Sequence, residues 1–386
     1  MTVVKIPADA ATPAYVMNEA KLAANARTAD RIRKEAGAKV LLATKAFAMP
    51  AAFPAMASCL DGTTASGVYE ARLAKETFAP GAGKEVHAYN PAWTAAELSE
   101  LAGVADDVYV NSARQLTLHA AQIEAQGQRI GLRINPGYSN ATLGGALYDP
   151  CAPNSRFGEV AGALADVDWS RVHTLHAHAL CESRHEGSVG LIEHVAKHFG
   201  DHIRKVQAVN FGGGHFLNKE GYDVEALIRA LAAFRREFNV ETYIEPGGGL
   251  VVDAGYLIAT VIDIHRNGAE IAILDASASC HMPDVLEVPY RPMVVGSGQP
   301  GEKAHTYIFA GKTCMTGDVI GEYSFDQPLK PGDRVVFTDM AQYSFVKNTT
   351  FNGVPLPDLA MLHADGRYEV VQRFGYQDFA RRLGAE

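Results

Sequence analysis

Cysteine is scarce in this 386-residue chain: there are five cysteines, none of them in a CxxC pair. An odd number of widely spaced cysteines argues against a disulfide framework and against a structural zinc site. We therefore expect free thiols in a reducing compartment, each of them a candidate for catalysis. The cysteines are Cys59, Cys151, Cys181, Cys280 and Cys314.

Long apolar runs and a positive net charge are also missing. The most apolar segment, residues 41–60, is interrupted by Lys45, Pro50 and Pro54, so no stretch reaches the ~18 apolar residues of a membrane span. The first ten residues lack an apolar core of signal-peptide length, and we expect a cytoplasmic chain. With 35 basic and 44 acidic side chains the formal net charge is −9, which argues against nucleic acid as a partner.

Strand-like and helix-like segments alternate between about residues 38 and 260. Short apolar segments predict eight strands, at 39–43, 62–65, 85–89, 107–110, 129–134, 172–177, 206–211 and 241–245. Amphipathic runs with apolar residues at helical spacing lie between them, as at 94–102, 112–125, 191–199 and 224–238. Eight strands with intervening helices are the number that closes a parallel (β/α)8 barrel. A doubly wound open sheet is the structural alternative, because strand counts read from a sequence are easily off by one.

The pattern changes after about residue 256. Short β-rich segments separated by Gly, Pro and Asp lie at 271–274, 293–295, 306–309, 334–337 and 368–372, before a helical segment at 376–383. This pattern predicts a mostly antiparallel β domain. We therefore predict an α/β protein of two domains, a TIM-like barrel over residues 14–256 and a C-terminal β domain over residues 257–386. Residues 1–13 could add a strand to the second domain.

Chemically capable residues stand at the ends of the predicted barrel strands, where barrels carry their chemistry. They are Lys45, Ser66, Arg133, His178, Gly212, Gly213, Gly214 and Glu245. Lys45 interrupts an apolar stretch, and a desolvated lysine has a lowered pKa and forms Schiff bases readily. A lysine that reaches water at a strand end is an equally good reading of this segment.

Two glycine runs and two histidines add to this set. The glycines at 212–214 predict a phosphate cradle, since backbone N–H groups can converge there on an anion; an ordinary turn is the alternative. Glu245, before a second glycine run, could keep a cationic ring nitrogen charged; a solvated loop glutamate is the alternative. We expect His178 to stack on a ring or relay a proton, and His176 to be a core histidine. No third ligand has suitable spacing, so no metal is predicted.

Together these residues resemble the pyridoxal-phosphate-dependent decarboxylases and racemases that join a barrel to a β domain. That group contains alanine racemase, diaminopimelate decarboxylase and ornithine decarboxylase. The resemblance covers essentially the whole chain, and it is strongest to the branch whose substrates are carboxynorspermidine and carboxyspermidine. It is carried by the segments TPAYV, ATKAF, TTASGVYEARLA, LHAHALCES, VNFGGGH, HMPDVLEVPYRP and TCMTGDVIGEYSF.

The resemblance implies pyridoxal 5'-phosphate as the cofactor and a homodimer with shared active sites. Lys45 would form the Schiff base, His178 would stack on the ring, and Glu245 would pair with the ring nitrogen. The three glycines would hold the phosphate, with Tyr343 as a further contact. Cys314 would come from the partner subunit and donate a proton to the carbon that loses CO₂. The remaining cofactor-binding positions would be Ser66 and Arg133.

Departures from the family pattern bear on the substrate. Gly248 stands where related decarboxylases often carry arginine, and Met315 where the ornithine and diaminopimelate enzymes carry an acidic residue that reads the far end of the substrate. A short diamino acid would leave its distal ammonium unpaired there, at a cost of ~2–5 kcal/mol. A longer carboxylated polyamine would need carboxylates elsewhere. The predicted substrate-binding acids are Glu245, Asp275, Asp284 and Asp318, with Glu287 also available.

Three alternatives stay open on the sequence alone. A diaminopimelate or other basic amino-acid decarboxylase, or a racemase with Tyr343 as its second base, would use the same cofactor. A non-catalytic pyridoxal-phosphate carrier would resemble the barrel only, and the β domain with its TCMTGD loop counts against it. A barrel enzyme for a phosphorylated substrate would need no cofactor.

Overall fold

The computed structural model of the chain describes residues 6–81, 83–140 and 149–385. They form two compact units, which we name the barrel unit, Ala23–Leu250, and the β unit, which joins Met1–Leu22 to Val251–Glu386. These boundaries differ from those expected at residues 14 and 256. Strand β1, Ala14–Asn18, pairs with two strands of the β unit, whereas the described residues 6–13 contain no strand. In the sequence, an apolar strand followed by a helix has the same pattern in a barrel and in a β domain. Only the strands with which it pairs show to which unit it belongs.

The barrel unit contains a closed ring of eight parallel strands. The first five are β2 (Lys39–Ala43), β3 (Gly62–Ala65), β4 (Glu85–Tyr89), β5 (Asp107–Val110) and β6 (Arg129–Asn135). After β7 (Glu159–Val160), which pairs only with β6, come β8 (Thr174–His176), β9 (Ala208–Asn210) and β10 (Glu241–Ile244). The pairing of β10 with β2 closes the ring. The predicted eight-stranded barrel is therefore confirmed, and the open-sheet alternative is wrong.

Helices precede, connect or follow the barrel strands. They are α1 (Glu19–Ala36), α2 (Val68–Thr77), α3 (Ala95–Leu101), α4 (Ala113–Ala125), α5 (His185–Ile203), α6 (Val224–Phe238) and α7 (Gly248–Val251). Local sequence sets their ends. At the start of α3, Thr94 accepts from the N–H of Glu97 and Glu97 accepts from the N–H of Thr94, which satisfies two otherwise unpaired donors. No described helix has the length and apolar character needed to cross a membrane.

The β unit is a mostly antiparallel sheet, as predicted. Its further strands are β11 (Gly255–Asn267), β12 (Ala269–Leu274), β13 (His305–Ala310), β14 (Val319–Phe325), β15 (Arg334–Thr338), β16 (Asp358–Leu362) and β17 (Tyr368–Gln372). Its helices are α8 (Ala278–His281), α9 (Asp284–Glu287) and α10 (Tyr376–Arg382). The sheet order is β14-β13-β12-β11-β1-β16-β17, and β15 also pairs with β11. Only β12 with β13 and β1 with β16 run parallel. The predicted segment 293–295 forms a single bridge, between Val294 and Phe337.

Candidate active site

The closed ring places the predicted residues of the barrel unit at one rim. Each lies at the carboxyl end of its strand or in the loop that follows: Lys45 after β2, Ser66 after β3, Arg133 in β6, His178 after β8, Gly212 after β9 and Glu245 after β10. Parallel strands in a barrel all present their carboxyl ends on the same side, so residues far apart in sequence meet there. The contacts described below connect them.

Lys45 lies half-buried in the turn after β2. Burial lowers the pKa of the Lys45 ammonium, the positive charge of Arg133 lowers it further, and Glu245 opposes both. The result favours the neutral amine that a nucleophile needs. The neighbouring Thr44 hydroxyl donates to the carboxylate of Glu70 at 3.1 Å, and that carboxylate also accepts from the backbone N–H of Ser66 at 2.6 Å. Glu70 therefore ties together the loops after β2 and β3.

The glycine loop after β9 packs directly against its neighbours. A Cβ atom on Gly213 would lie 2.8 Å from the carbonyl oxygen of Glu245, and one on Gly214 would lie 2.3 Å from that of Leu180. Gly212 and Gly213 use their N–H groups internally, toward Asn210 Oδ1 at 2.8 Å and His178 Nδ1 at 3.0 Å. Within the described residues the N–H of Gly214 has no partner. Of the three glycines, only Gly214 thus keeps its donor available for an anion.

Glu245 is 4% exposed, and a neighbour contacts each of its carboxylate oxygens. Oε1 accepts from Asn210 Nδ2 at 2.7 Å, and Oε2 lies 3.4 Å from His176 Nε2. Burial would raise the pKa of this carboxyl group, but His176, with smaller contributions from His87 and Asn210, lowers it to about 2. The barrel thus keeps a carboxylate ionised in a buried position, which suits the pairing of a protonated ring nitrogen.

Arg133 and His178 form the part of the site between β6 and β8. The guanidinium of Arg133 lies over the rings of Tyr89 and Phe157, 4.6 and 4.5 Å from their centroids, and donates to the carbonyl oxygen of His178 at 2.9 Å. Its buried Nε atom has no hydrogen-bond partner among the described residues. Burial holds the pKa of His178 well below its usual value, and the positive charges of Lys45 and Arg133 act in the same direction. The imidazole is therefore neutral.

The predicted residues of the β unit lie in two loops and a short helix. Cys314 is exposed, and its N–H donates to Asn352 Oδ1 at 2.8 Å. Tyr343 is half-buried in a turn with φ of +47°. Asp284, in α9, pairs with the ammonium of Lys347, which also donates to Glu287 at 2.5 Å.

The other two predicted substrate-binding acids already accept hydrogen bonds from their own unit. Asp318 is buried and accepts from the hydroxyls of Ser277 at 2.8 Å and Thr313 at 2.6 Å. Asp275 accepts from the Thr12 hydroxyl at 2.6 Å and from the N–H of Thr260 at 2.7 Å. These contacts give both carboxylates a role in fixing local structure.

Sequence reasoning missed two parts of the site. Asn210 was visible as the polar residue that ends an apolar strand two positions before the first glycine, and it contacts Glu245. Glu70 carried no signal, because an acidic residue in the first turn of a helix is common at that position. His176, expected to be a core histidine, is buried and also contacts Glu245.

Comparisons with known proteins point to one family. The family described as pyridoxal-dependent decarboxylase, C-terminal sheet domain, matches residues 14–341. The chain is similar to the carboxynorspermidine/carboxyspermidine decarboxylase of Campylobacter jejuni, with 39% identity over 96% of this chain and 98% of that protein. It is also similar to the carboxyaminopropylagmatine decarboxylase of Synechocystis sp., with 38% identity over 97% of this chain and 95% of that protein.

A solved structure agrees with these relatives. The crystal structure of carboxynorspermidine decarboxylase from Campylobacter jejuni, complexed with norspermidine, covers 97% of this chain and 100% of its own, with a TM-score of 0.88 and 37% identity. The match of the family spans strands of both compact units. On this evidence the chain belongs to the pyridoxal-dependent decarboxylases.

Proposed function

We propose that this chain decarboxylates a carboxylated polyamine, carboxynorspermidine or carboxyspermidine, to norspermidine or spermidine. The carrying observation is the set at the barrel rim: the Lys45 amine with its lowered pKa, the ionised Glu245, and the glycine loop bonded to His178. The near-full-length similarity to the carboxynorspermidine/carboxyspermidine decarboxylase of Campylobacter jejuni supports this choice of substrate. Family membership sets aside the non-catalytic carrier considered from the sequence.

The residues at the rim fit pyridoxal phosphate, the family's cofactor. Lys45 would hold it covalently through its amine, and the neutral His178 ring would lie against the pyridine. Glu245 would face the ring nitrogen. The phosphate would take the unpaired N–H of Gly214, with Arg133, Ser66 and Tyr343 as further contacts. The close packing of the loop excludes side chains from this position.

When bound, pyridoxal phosphate supplies an electron sink that accepts the electron pair left as CO₂ departs. The chain's own residues prepare that chemistry. Glu245 stays ionised because a neighbour contacts each of its oxygens, so it can keep a proton on the ring nitrogen. Lys45 is a base with a lowered pKa, and it could move a proton at the reacting carbon.

Cys314 is the proposed acid that protonates the substrate carbon after CO₂ has left. Its side chain is exposed, as expected of a residue that completes the site of a second copy in a homodimer. The buried Asp318 and the amide of Asn352 support its loop through hydrogen bonds. We also propose a cytoplasmic location, in keeping with five free cysteines.

Asp284 is the proposed acceptor for a distal ammonium of the substrate. The ammonium of Lys347 contacts both Asp284 and Glu287 in this structure, so these carboxylates already accept a primary amine. Asp275 and Asp318, held by their own hydrogen bonds, would instead keep the surrounding loops in place.

A second substrate is favoured by a specific observation. The Synechocystis relative, named for carboxyaminopropylagmatine, is 38% identical over 97% of this chain. The agmatine part of carboxyaminopropylagmatine ends in a guanidinium group, whereas carboxynorspermidine and carboxyspermidine end in an ammonium group. A planar guanidinium pairs best with a carboxylate that can accept two parallel hydrogen bonds.

The deciding experiment is CO₂ release by the cofactor-loaded protein on a panel of four compounds. The panel is carboxynorspermidine, carboxyspermidine, carboxyaminopropylagmatine and diaminopimelate. We expect the highest kcat/KM on the first two, and none with the Lys45→Ala protein. A preference for carboxyaminopropylagmatine would establish the second candidate, and a preference for diaminopimelate would overturn both.

A further inference from the structure

A buried tyrosine in the middle of the barrel touches both residues that hold Glu245. Tyr109, in β5, accepts from Asn210 Nδ2 at 3.0 Å, and the same nitrogen donates to Glu245 Oε1. The ring of Tyr109 stacks on His176, with 4.8 Å between ring centroids and an interplanar angle of 22°. His176 Nε2 lies beside Glu245 Oε2. Each carboxylate oxygen of Glu245 is therefore contacted by a side chain, Asn210 or His176, that also contacts Tyr109.

The amide of Asn210 has one orientation that satisfies its surroundings. Oδ1 accepts from the N–H of Gly212 at 2.8 Å, so Nδ2 must be the atom that faces Glu245 and Tyr109. One N–H goes to the carboxylate and the other to the phenol oxygen. Removal of the phenol oxygen would leave a buried donor unpaired and release the amide to rotate.

The phenol is fixed in turn from its other side. Tyr109 Oη lies 2.8 Å from His87 Nδ1, and His87 Nε2 lies 2.8 Å from Glu85 Oε2 and 3.4 Å from Asp107 Oδ2. Two cations balance these acids: Lys39 contacts Glu85 at 2.6 Å, and Arg129 contacts the buried Asp107 at 2.7 Å. Glu85, His87 and Asp107 lie close enough together to hold a metal ion. The two cations already balance the negative charges of Glu85 and Asp107.

The neighbouring strand makes room for the ring. A Cβ atom on Gly131, in β6, would lie 1.6 Å from Tyr109 Cδ1. No other residue fits at that position unless the ring moves. Glycine in the middle of a strand weakens the strand. The Tyr109 ring explains why glycine is nevertheless present at position 131.

We propose that Tyr109 is a positioning residue for the decarboxylation. Its hydroxyl keeps Asn210 on Glu245 Oε1 and its ring keeps His176 beside Oε2, so that the carboxylate stays aimed at the cofactor nitrogen. This inference rests on one part of the proposed function, namely that Glu245 faces the ring nitrogen of the cofactor. Other titratable or charged groups act on Glu245 and share in its ionisation: His176, His87, His215, Lys45 and Arg133.

The test uses Tyr109→Phe, which removes the hydroxyl and keeps the stacked ring. Tyr323→Phe is the matched control, since Tyr323 in β14 is equally buried and its hydroxyl donates to the carbonyl oxygen of Pro292, outside this cluster. Apoprotein is titrated with pyridoxal phosphate from about pH 5 to pH 8, and kcat is measured on the best substrate. We expect Tyr109→Phe to weaken cofactor binding and lower kcat by about 3- to 10-fold each. Because Glu245 stays ionised over this pH range, the loss of affinity should be the same at each pH, and Tyr323→Phe should match the wild type.

A double variant tests the path through Asn210. If Tyr109 acts through that amide, Tyr109→Phe added to Asn210→Ala weakens cofactor binding no further than Asn210→Ala alone. Fully additive losses, or a Tyr109→Phe protein that matches Tyr323→Phe, would overturn the inference. The titration needs no substrate. Failure to release CO₂ from any carboxylated polyamine would therefore overturn the proposed function, while the cofactor affinities would still decide the role of Tyr109.

Discussion

The Nδ1 atom of His178 accepts a hydrogen bond from the backbone N–H of Gly213 at 3.0 Å. This contact places the remaining ring proton on Nε2 and fixes the imidazole against the glycine loop. Burial and the nearby cations hold the pKa of His178 well below its usual value, which favours the neutral ring. Its expected contribution is a rigid neutral surface for the cofactor ring.

Gly213→Ala should weaken binding of pyridoxal phosphate by on the order of tenfold. The added methyl group would lie 2.8 Å from the carbonyl oxygen of Glu245 and 3.0 Å from His178 Cε1, so the loop or the imidazole must shift. Equilibrium titration of the apoprotein measures the change. The control is Gly162→Ala, where an added Cβ meets nothing within 4 Å. Equal affinities in the two variants would contradict this account of the loop.

Lys45→Ala should abolish turnover and the borohydride-reducible attachment of cofactor to protein. The reason is that the Lys45 amine has a lowered pKa and lies at the rim, within the electrostatic influence of Glu245 and Arg133. Mass spectrometry of the reduced protein measures the attachment. Lys75→Ala, at an exposed lysine in α2, should keep both properties. Cofactor still found attached in the Lys45→Ala protein would refute the assignment.

Glu245→Gln should lower kcat by on the order of 10²-fold, because a neutral amide cannot keep the ring nitrogen protonated. Circular dichroism and the protein's thermal transition separate this loss from misfolding. Glu100→Gln, at an exposed position of α3, should behave as the wild type. A Glu245→Gln protein with normal turnover would show that this carboxylate does not serve the cofactor.

The same carboxylate should also make stability depend on pH. Its folded pKa, about 2, lies below its ordinary value of 4.5, so its ionisation stabilises the fold above about pH 4.5. That contribution is lost as the pH falls through about 2. Urea unfolding of the wild type and Glu245→Gln at several pH values measures it. The stability difference between the two proteins should change over that acidic range and stay constant above about pH 5.

Cys314→Ala should slow decarboxylation and raise the fraction of misprotonated product. An equal mixture of Cys314→Ala and Lys45→Ala should regain about a quarter of wild-type activity, since half of the dimers are mixed and each has one intact shared site. The control is a mixture of Lys45→Ala with Glu245→Gln, both in the barrel unit. It should regain nothing, because no mixed site is complete. Absence of recovery in the first mixture would count against a shared site.

The barrel could be predicted because each strand carries its own signal. Segments such as 39–43 and 107–110 are short apolar runs followed by amphipathic helices, and the observed strands begin and end at the same residues. The boundary between the units could not be found this way. Strand β1 has the same apolar character as a barrel strand, and only its pairing with β11 and β16 assigns it to the β unit.

The residues of the candidate site also fall into a part that the sequence predicts and a part that only the structure shows. The sequence by itself determined which residue types stand at the strand ends, since strand period and glycine runs are local properties: Lys45, His178, the glycines and Glu245 follow from them. Only the tertiary structure decided which groups share a contact. Tyr109, Asn210 and Glu245 come from three different strands, and Gly131 makes room for the ring from a fourth. Closure of the barrel brings them together. The number of strands predicts that closure, but no spacing along the chain shows which side chains then meet.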